Sequence, residues 1–250
     1  MARQGGLLKV VGKLDDLSFY KSADGFLVRT KGGVSADRIA NDPTFQRTRE
    51  NGAEFGMSAV AGKLLRTALR NFMITASDNR VVSRLTRLMT DVKNLDAANE
   101  RGERHVHEGF DLPEGKAVLK GFNFNNRAIL SSILFKAYSL NTTTGALTIT
   151  DLIPTMDIVS APGATHLTIK SGWSKVDFAA GEFDTVMSNA VNLPINGTAS
   201  TVALTQAAAP TLASGINVFT ISVEFYQEVN GIQYSLKNGG YNSLAVIDVV

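Results

Sequence analysis

Residues 43–95 hold the only sustained helical periodicity in the chain, and they separate two regions whose apolar residues fall into short β-like runs. That layout requires helices packed on sheet, which makes the chain α+β. Asp42-Pro43 marks the helical start, with an N-cap residue ahead of proline at the first helical position. Val60, Leu64, Ala68 and Phe72 recur every four residues beside Leu65, Leu69 and Met73, predicting a broad apolar face. Gly52, Gly56 and Gly62 weaken the pattern by up to about 1 kcal/mol each relative to Ala. The sequence therefore allows one long helix to about Met73, or two broken near 52–56. Ser77-Asp78 opens another helix, with Val81, Val82, Leu85, Leu88, Met89, Val92 and Leu95 on one stripe. The short link at 74–77 predicts an antiparallel helical hairpin.

Ahead of the helices, residues 1–34 read as a β arm. Leu7-Leu8-Lys9-Val10-Val11 lies between glycines, Leu17-Ser18-Phe19-Tyr20-Lys21 follows, and Phe26-Leu27-Val28-Arg29 returns after the turn Ser22-Ala23-Asp24-Gly25. Gly32-Gly33 closes the arm, and Ser35-Ala36-Asp37-Arg38 can cap a short helical turn. Three such strands have too few apolar residues to stand alone. They must pack on the rest of the chain or on a neighbouring copy, which makes Leu17, Phe19, Tyr20, Phe26 and Val28 the candidate assembly contacts.

Residues 35–109 form the helical region and a connector. The connector is the charged segment at 99–109, with Glu100, Arg101, Glu103, Arg104, His105, His107 and Glu108. Residues 110–250 read as an antiparallel β-sandwich, Ig-like or jelly-roll-like, with short runs at 117–122, 128–140, 146–152, 166–170, 175–179, 183–188, 201–205, 218–227, 232–236 and 243–249. In 218–227, Phe219, Ile221, Val223 and Phe225 form the expected core face, alternating with Val218, Thr220, Ser222, Glu224 and Tyr226. Asn230-Gly231 gives a tight hairpin, and Asn238-Gly239-Gly240 gives a second turn.

Composition narrows the chemistry. With no cysteine there are no disulfides, thiolate metal sites or cysteine nucleophiles. No apolar run approaches the roughly 20 residues of a membrane span, and the N-terminus lacks the apolar core of a secretion signal. The expectation is a soluble cytoplasmic protein without a membrane partner. Net charge is +2 but uneven: residues 1–110 carry 18 Lys+Arg against 13 Asp+Glu, and residues 111–250 carry 7 against 10. Such halves suit head-to-tail association or an acidic partner for the first half.

Candidate motifs are weak. Gly56-Met57-Ser58-Ala59-Val60-Ala61-Gly62-Lys63-Leu64 has five residues between its outer glycines where a phosphate loop needs four, and Leu64 replaces the metal-binding hydroxyl. His105-Val106-His107 supplies two metal ligands; a third would have to be His166 or a carboxylate, and nothing in the spacing requires it. His166 has no Gly-x-Ser-x-Gly elbow to serve. Asn141-Thr142-Thr143 and Asn196-Gly197-Thr198 match the glycosylation sequon but read as turns. Trp173 reads as core filling at a sheet corner. Lys63, Arg66 and Arg70 lie along one helix face and Arg80, Arg84 and Arg87 along the next. They are candidate contacts for phosphate or an acidic partner, or simply solvated faces.

The stretches Gly12-Lys13-Leu14-Asp15-Asp16-Leu17-Ser18-Phe19-Tyr20-Lys21, Arg38-Ile39-Ala40-Asn41-Asp42-Pro43 and Arg47-Thr48-Arg49-Glu50-Asn51, with Phe225-Tyr226-Gln227-Glu228-Val229-Asn230-Gly231, resemble an uncharacterised protein family of Bacteroidota bacteria. The resemblance spans nearly the whole chain. It implies a bacterial origin and no catalytic residues, since the family carries no assigned activity. From the residues themselves, the expectation is a non-enzymatic subunit that self-associates into a filament, tubule, shell or phage-like particle. Its partner is itself, with no cofactor and no small-molecule substrate. A nucleic-acid-associated protein using the helical basic stripes is the alternative, and a carbohydrate-binding or adhesin-like module follows from the sandwich alone.

Overall fold

The alternating stretch at 218–227 becomes the middle of the larger of two sheets in the second part of the chain. A computed structural model describes residues 2–22, 24–30, 33–236 and 239–250. Ala23 of the expected hairpin turn, Gly32, and Asn238 of the expected second turn lie outside the described residues. The chain divides into two compact units, Met1–Arg49 and Glu50–Val250.

The first unit contains strands β1 (Ala2–Arg3), β2 (Gly12–Leu14), β3 (Leu17–Ser22) and β4 (Gly25–Thr30), paired antiparallel in the order β1-β4-β3-β2. The run at 7–11 makes no strand. Gln4 instead closes a loop over it, its Oε1 accepting from Val10 N at 2.9 Å and its Nε2 donating to Val10 O at 3.0 Å. Helix α1 (Ala36–Asn41) is capped by Ser35, whose hydroxyl accepts from Arg38 N at 3.2 Å. Asp42 caps the turn Pro43–Phe45 that leads into α2 (Gln46–Ala68). Arg49 ties this corner by donating to the carbonyls of Ile39 and Asp42.

Helix α2 runs unbroken through Gly52, Gly56 and Gly62, and α3 (Arg70–Met73) follows it. It packs antiparallel on α4 (Val81–Lys93): a Cβ on Gly62 would lie 3.6 Å from Leu85 Cγ, and Glu54 pairs with Lys93. The buried face is Ala61, Leu65, Ala68, Leu69 and Phe72, whereas Val60 is 68% exposed. The every-four pattern fails at Val60 because four residues advance about 400° around a 3.6-residue turn. A strict i+4 row therefore drifts off the face within three steps.

The segment at 99–109 is more than a connector. Its end enters α5 (Val106–Asp111), where Val106 and Phe110 are buried, and α6 (Pro113–Leu119) follows. The apolar run at 117–122 is thus helical at its start, with Pro113 in the first turn, and not a strand. A short apolar run does not distinguish helix from strand by periodicity. The run at 128–140 likewise holds α7 (Leu130–Ile133) and only the two-residue strand β5 (Ser139–Leu140).

The remaining elements are β6 (Leu147–Leu152), α8 (Pro154–Asp157), β7 (His166–Asp177), β8 (Glu182–Met187), β9 (Val191–Pro194), β10 (Ser200–Leu204), β11 (Ile216–Val229), β12 (Ile232–Ser235) and β13 (Ser243–Val249). One sheet runs β12-β11-β7-β8, with β13 also on β11 and β9 also on β7; the other runs β10-β6-β5. Every described pairing is antiparallel, and helices and sheets together make the fold α+β. Asn230 and Gly231 have φ of 53° and 78°, the left-handed pair that a two-residue hairpin turn needs between β11 and β12.

Both faces of the large sheet are covered. Phe219, Ile221, Val223 and Phe225 share a core with Leu147, Ile149, Val202 and Leu204 of the small sheet, while Val176, Val218, Leu244 and Val246 share a second core with α2–α6. Thr220, Ser222 and Glu224 are therefore buried, not solvent-facing as simple alternation suggests. Small side chains suit that face because Phe72 lies on it: a Cβ at Gly172 would come within 2.7 Å of the Phe72 ring. Trp173 is mid-strand in β7 rather than at a corner, its indole donating to Asn217 Oδ1 at 2.9 Å.

Candidate assembly surface

The register of the N-terminal sheet sorts its side chains. Leu14 faces Leu17, Phe19 faces Val28, and Lys21 faces Phe26. Directly opposed residues and their i±2 neighbours share a face. Leu14, Leu17, Phe19, Phe26 and Val28 thus form one apolar face, with Ala2 beside Val28. Lys21 borders it, its ammonium 5.6 Å from the Phe26 ring centroid. The opposite face carries Arg3, Lys13, Ser18, Tyr20, Leu27 and Arg29.

Of the five candidate contacts, the structure brings Leu17, Phe19, Phe26 and Val28 together and sends Tyr20 to the other side. There the Arg29 guanidinium lies over the Tyr20 ring at 5.7 Å. No described residue of the first unit is buried. Each of these apolar side chains would gain about 1.5–3 kcal/mol from complete burial, and the sheet leaves much of that unrealised.

Two exposed apolar features escape a reading of the sequence. Leu7 and Leu8, at 105% and 87% exposure, stand at the tip of the loop closed by Gln4. On α2, Phe55 and Val60 point outward beside Gly52 and Gly56. Gly5-Gly6 ahead of the leucines is the available sign that they sit in a loop rather than a strand.

The basic residues of the helices divide differently. Lys63, Arg66 and Arg70 line one shallow hollow with Met73 and Ile74, although Arg70 belongs to α3. Arg84 leaves its expected stripe: it pairs with Asp78 at 2.6 Å, donates to the carbonyls of Asn123 and Phe124, and stacks over Phe122. It fastens α4 to the chain entering the sheet. Arg80 precedes α4 without a side-chain cap, and Arg87 lies on the helix itself.

The remaining motif residues hold structure. The glycine-bounded stretch at 56–64 is mid-helix in α2. His105 and His107 have ring centroids 5.0 Å apart, yet no group of three or more metal-ligating side chains occurs among the described residues. His166 bonds Thr165 through Nδ1 and lies 3.6 Å from Glu228 through Nε2, with no serine in that pairing. The Asn141 and Asn196 side chains accept backbone bonds within their turns.

Two charged clusters in the second unit have perturbed protonation. Glu54 accepts from Arg104, Lys93 and Gly102 N, and the Arg104 guanidinium above all holds it down to about 2 against burial. Asp96 is raised by burial, but the N–H of His105, Asn99 and its side chain, and Ala98 outweigh that and hold it at about 2. On β11, burial and the Glu224 carboxylate push Tyr226 up to about 12, with Tyr226 Oη donating to Glu224 at 2.9 Å and Lys170 3.4 Å from the same carboxylate. These groups satisfy one another and clasp loops and strands. A hollow of about 300 Å³ lies beside His107, Lys116, Asp177 and Ser214, but Asp177 is occupied by the Ser214 hydroxyl and by Ala179 and Ala180 N–H. No helix among the described residues is long and apolar enough to cross a membrane. No protein-family model, curated protein or solved structure matches the chain.

Proposed function

We propose that the chain is a self-associating structural subunit of a filament, tubule, shell or phage-like particle, working in the cytoplasm, and that its N-terminal sheet joins one copy to another. One observation carries this reading: a four-stranded sheet with a contiguous apolar face in which no described residue is buried. A sheet of that size gains independent stability from a covered hydrophobic face. A second copy supplies one, since Leu17, Phe19, Phe26 and Val28 on two such sheets are self-complementary across a two-fold axis. Strand addition at the β2 edge offers a second mode of contact. The Leu7-Leu8 tip adds an anchor of the kind that fills a pocket on a neighbour.

Negative-stain microscopy of the full chain and of a chain beginning at Gly33 tests the reading. The full chain is expected to form regular assemblies, and the shortened chain is expected to fold without assembling. Loss of folding in the shortened chain would place the strands in the protomer core and remove their proposed role.

A further inference from the structure

On the face opposite the apolar one, every charged side chain of the strands is basic. Among the strands of the first unit the charged residues are Arg3, Lys13, Lys21 and Arg29, all of one sign, and three of the four share this face. Lys13, Ser18 and Arg29 form a row across β2, β3 and β4, while Tyr20, Leu27 and Arg3 form the next row across β3, β4 and β1. The acidic residues of the unit, Asp15, Asp16, Asp24, Asp37 and Asp42, all lie in turns, helices or caps. A concavity of about 420 Å³ opens against Lys13, Ser18, Tyr20 and Arg29.

From this we infer that the basic face of the N-terminal sheet binds single-stranded nucleic acid. The inference does not depend on self-association, which uses the other face. Adjacent strands lie about 4.8 Å apart, so Lys13 and Arg29, two strands apart, stand about 10 Å from each other, with Arg3 diagonal to Arg29 on the next strand, and their long side chains can reach separate phosphates of one extended strand. Arg29 backed by the Tyr20 ring presents a planar cation on which a base stacks. Charge complementarity favours this partner over a second copy of the chain. The first unit carries 9 Lys+Arg against 5 Asp+Glu, and the second unit carries 16 against 18. A second copy therefore offers only a dilute negative charge, whereas a nucleic-acid strand carries one negative charge per nucleotide.

Fluorescence anisotropy of a labelled 20-nucleotide oligo-dT, titrated with the full chain across a series of salt concentrations, tests this. Binding at low salt is expected to weaken linearly on a log–log plot. Changing Arg3, Lys13 and Arg29 together to Ala should lower affinity at least tenfold at low salt and flatten the salt slope by about 2, from three lost contacts at roughly 0.7 each. Changing Lys63, Arg66 and Arg70 to Ala should leave both unchanged. Circular dichroism and self-association matching the parent chain would show the triple variant intact, because all three positions are exposed or on strand surfaces. Absence of binding at low salt, or an unchanged slope in the intact triple variant, overturns the inference. Equal competition by polyglutamate overturns it in favour of an acidic protein partner.

Discussion

Two antiparallel sheets in this chain show opposite outcomes of the same local chemistry. In the large sheet, β7 and β11 pair without interruption from Ile216↔Val176 to Tyr226↔His166, and residues 218–225 of β11 are buried on both faces. In the N-terminal sheet, β3 and β4 pair as regularly from Leu17↔Thr30 to Ser22↔Gly25, and no described residue is buried. Strand quality does not separate them, and neither does residue type, since Phe, Val and Leu appear in both. The difference is the presence of covering layers. Helices α2–α6 close one face of the large sheet and β6 and β10 close the other. Within the first unit, no described layer covers the apolar face of its sheet.

Substitutions can break that contrast. Phe225→Ala, in the shared core, should cost about 3–5 kcal/mol in urea denaturation. An effect below about 1 kcal/mol would show the large sheet less tightly covered than its burial implies. Next comes the clasp that joins α2 to α4 and to the segment at 102–104. Glu54→Gln removes the partner of buried Lys93 and of Arg104, and is expected to cost about 3 kcal/mol.

The same clasp gives a pH dependence. Glu54 titrates at about 2 when folded against an ordinary 4.5, and Asp96 at about 2 against 3.8. A carboxylate lowered on folding stabilises fully above its unfolded value, and that contribution disappears as pH falls through the folded value. Stability of the parent chain should therefore drop between about pH 4.5 and 2, with a shallower drop in Glu54→Gln. Identical slopes in denaturation curves collected across that range would refute the assignment. The smallest effect belongs to the N-terminal sheet. Phe19→Ala should change the stability of the dilute protein by less than about 0.5 kcal/mol, where the same change at Phe225 costs several-fold more.

Much of the architecture was legible in the residues. Asp42-Pro43, the α4 stripe at Val81, Leu85, Met89 and Val92, and Asn230-Gly231 each carry a local stereochemical signal that tertiary context did not overrule, although Val82 of the expected stripe is exposed and Leu95 lies beyond the helix. The helical nature of 113–119 was not legible, because seven residues span only two turns and a glycine and a proline sit among them. Burial of Thr220, Ser222 and Glu224 was hidden for a different reason. Alternation reports polarity, whereas Thr220 is buried where Phe72, distant in sequence, lies on Gly172 opposite it, and the Glu224 carboxylate is engaged by Lys170 and Tyr226. At the candidate surface, Leu17, Phe19, Phe26 and Val28 were readable as a group. Separating Tyr20 from Leu17 and Phe19 needs only the two-residue alternation of a strand, whereas placing Phe26 and Val28 on the same face as Phe19 depends on the β3–β4 register. Arg84 looked like part of an exposed stripe because helical spacing fixes the side of a helix but not what stands opposite it.

Sedimentation velocity of the full chain over a hundredfold range of concentration, beside Phe19→Asp, is the most direct test of self-association through the N-terminal sheet. A parent chain that grows into larger species with concentration, and a Phe19→Asp chain that stays monomeric with unchanged stability, is the predicted result. A parent chain that sediments as a single monomer at every concentration would contradict it.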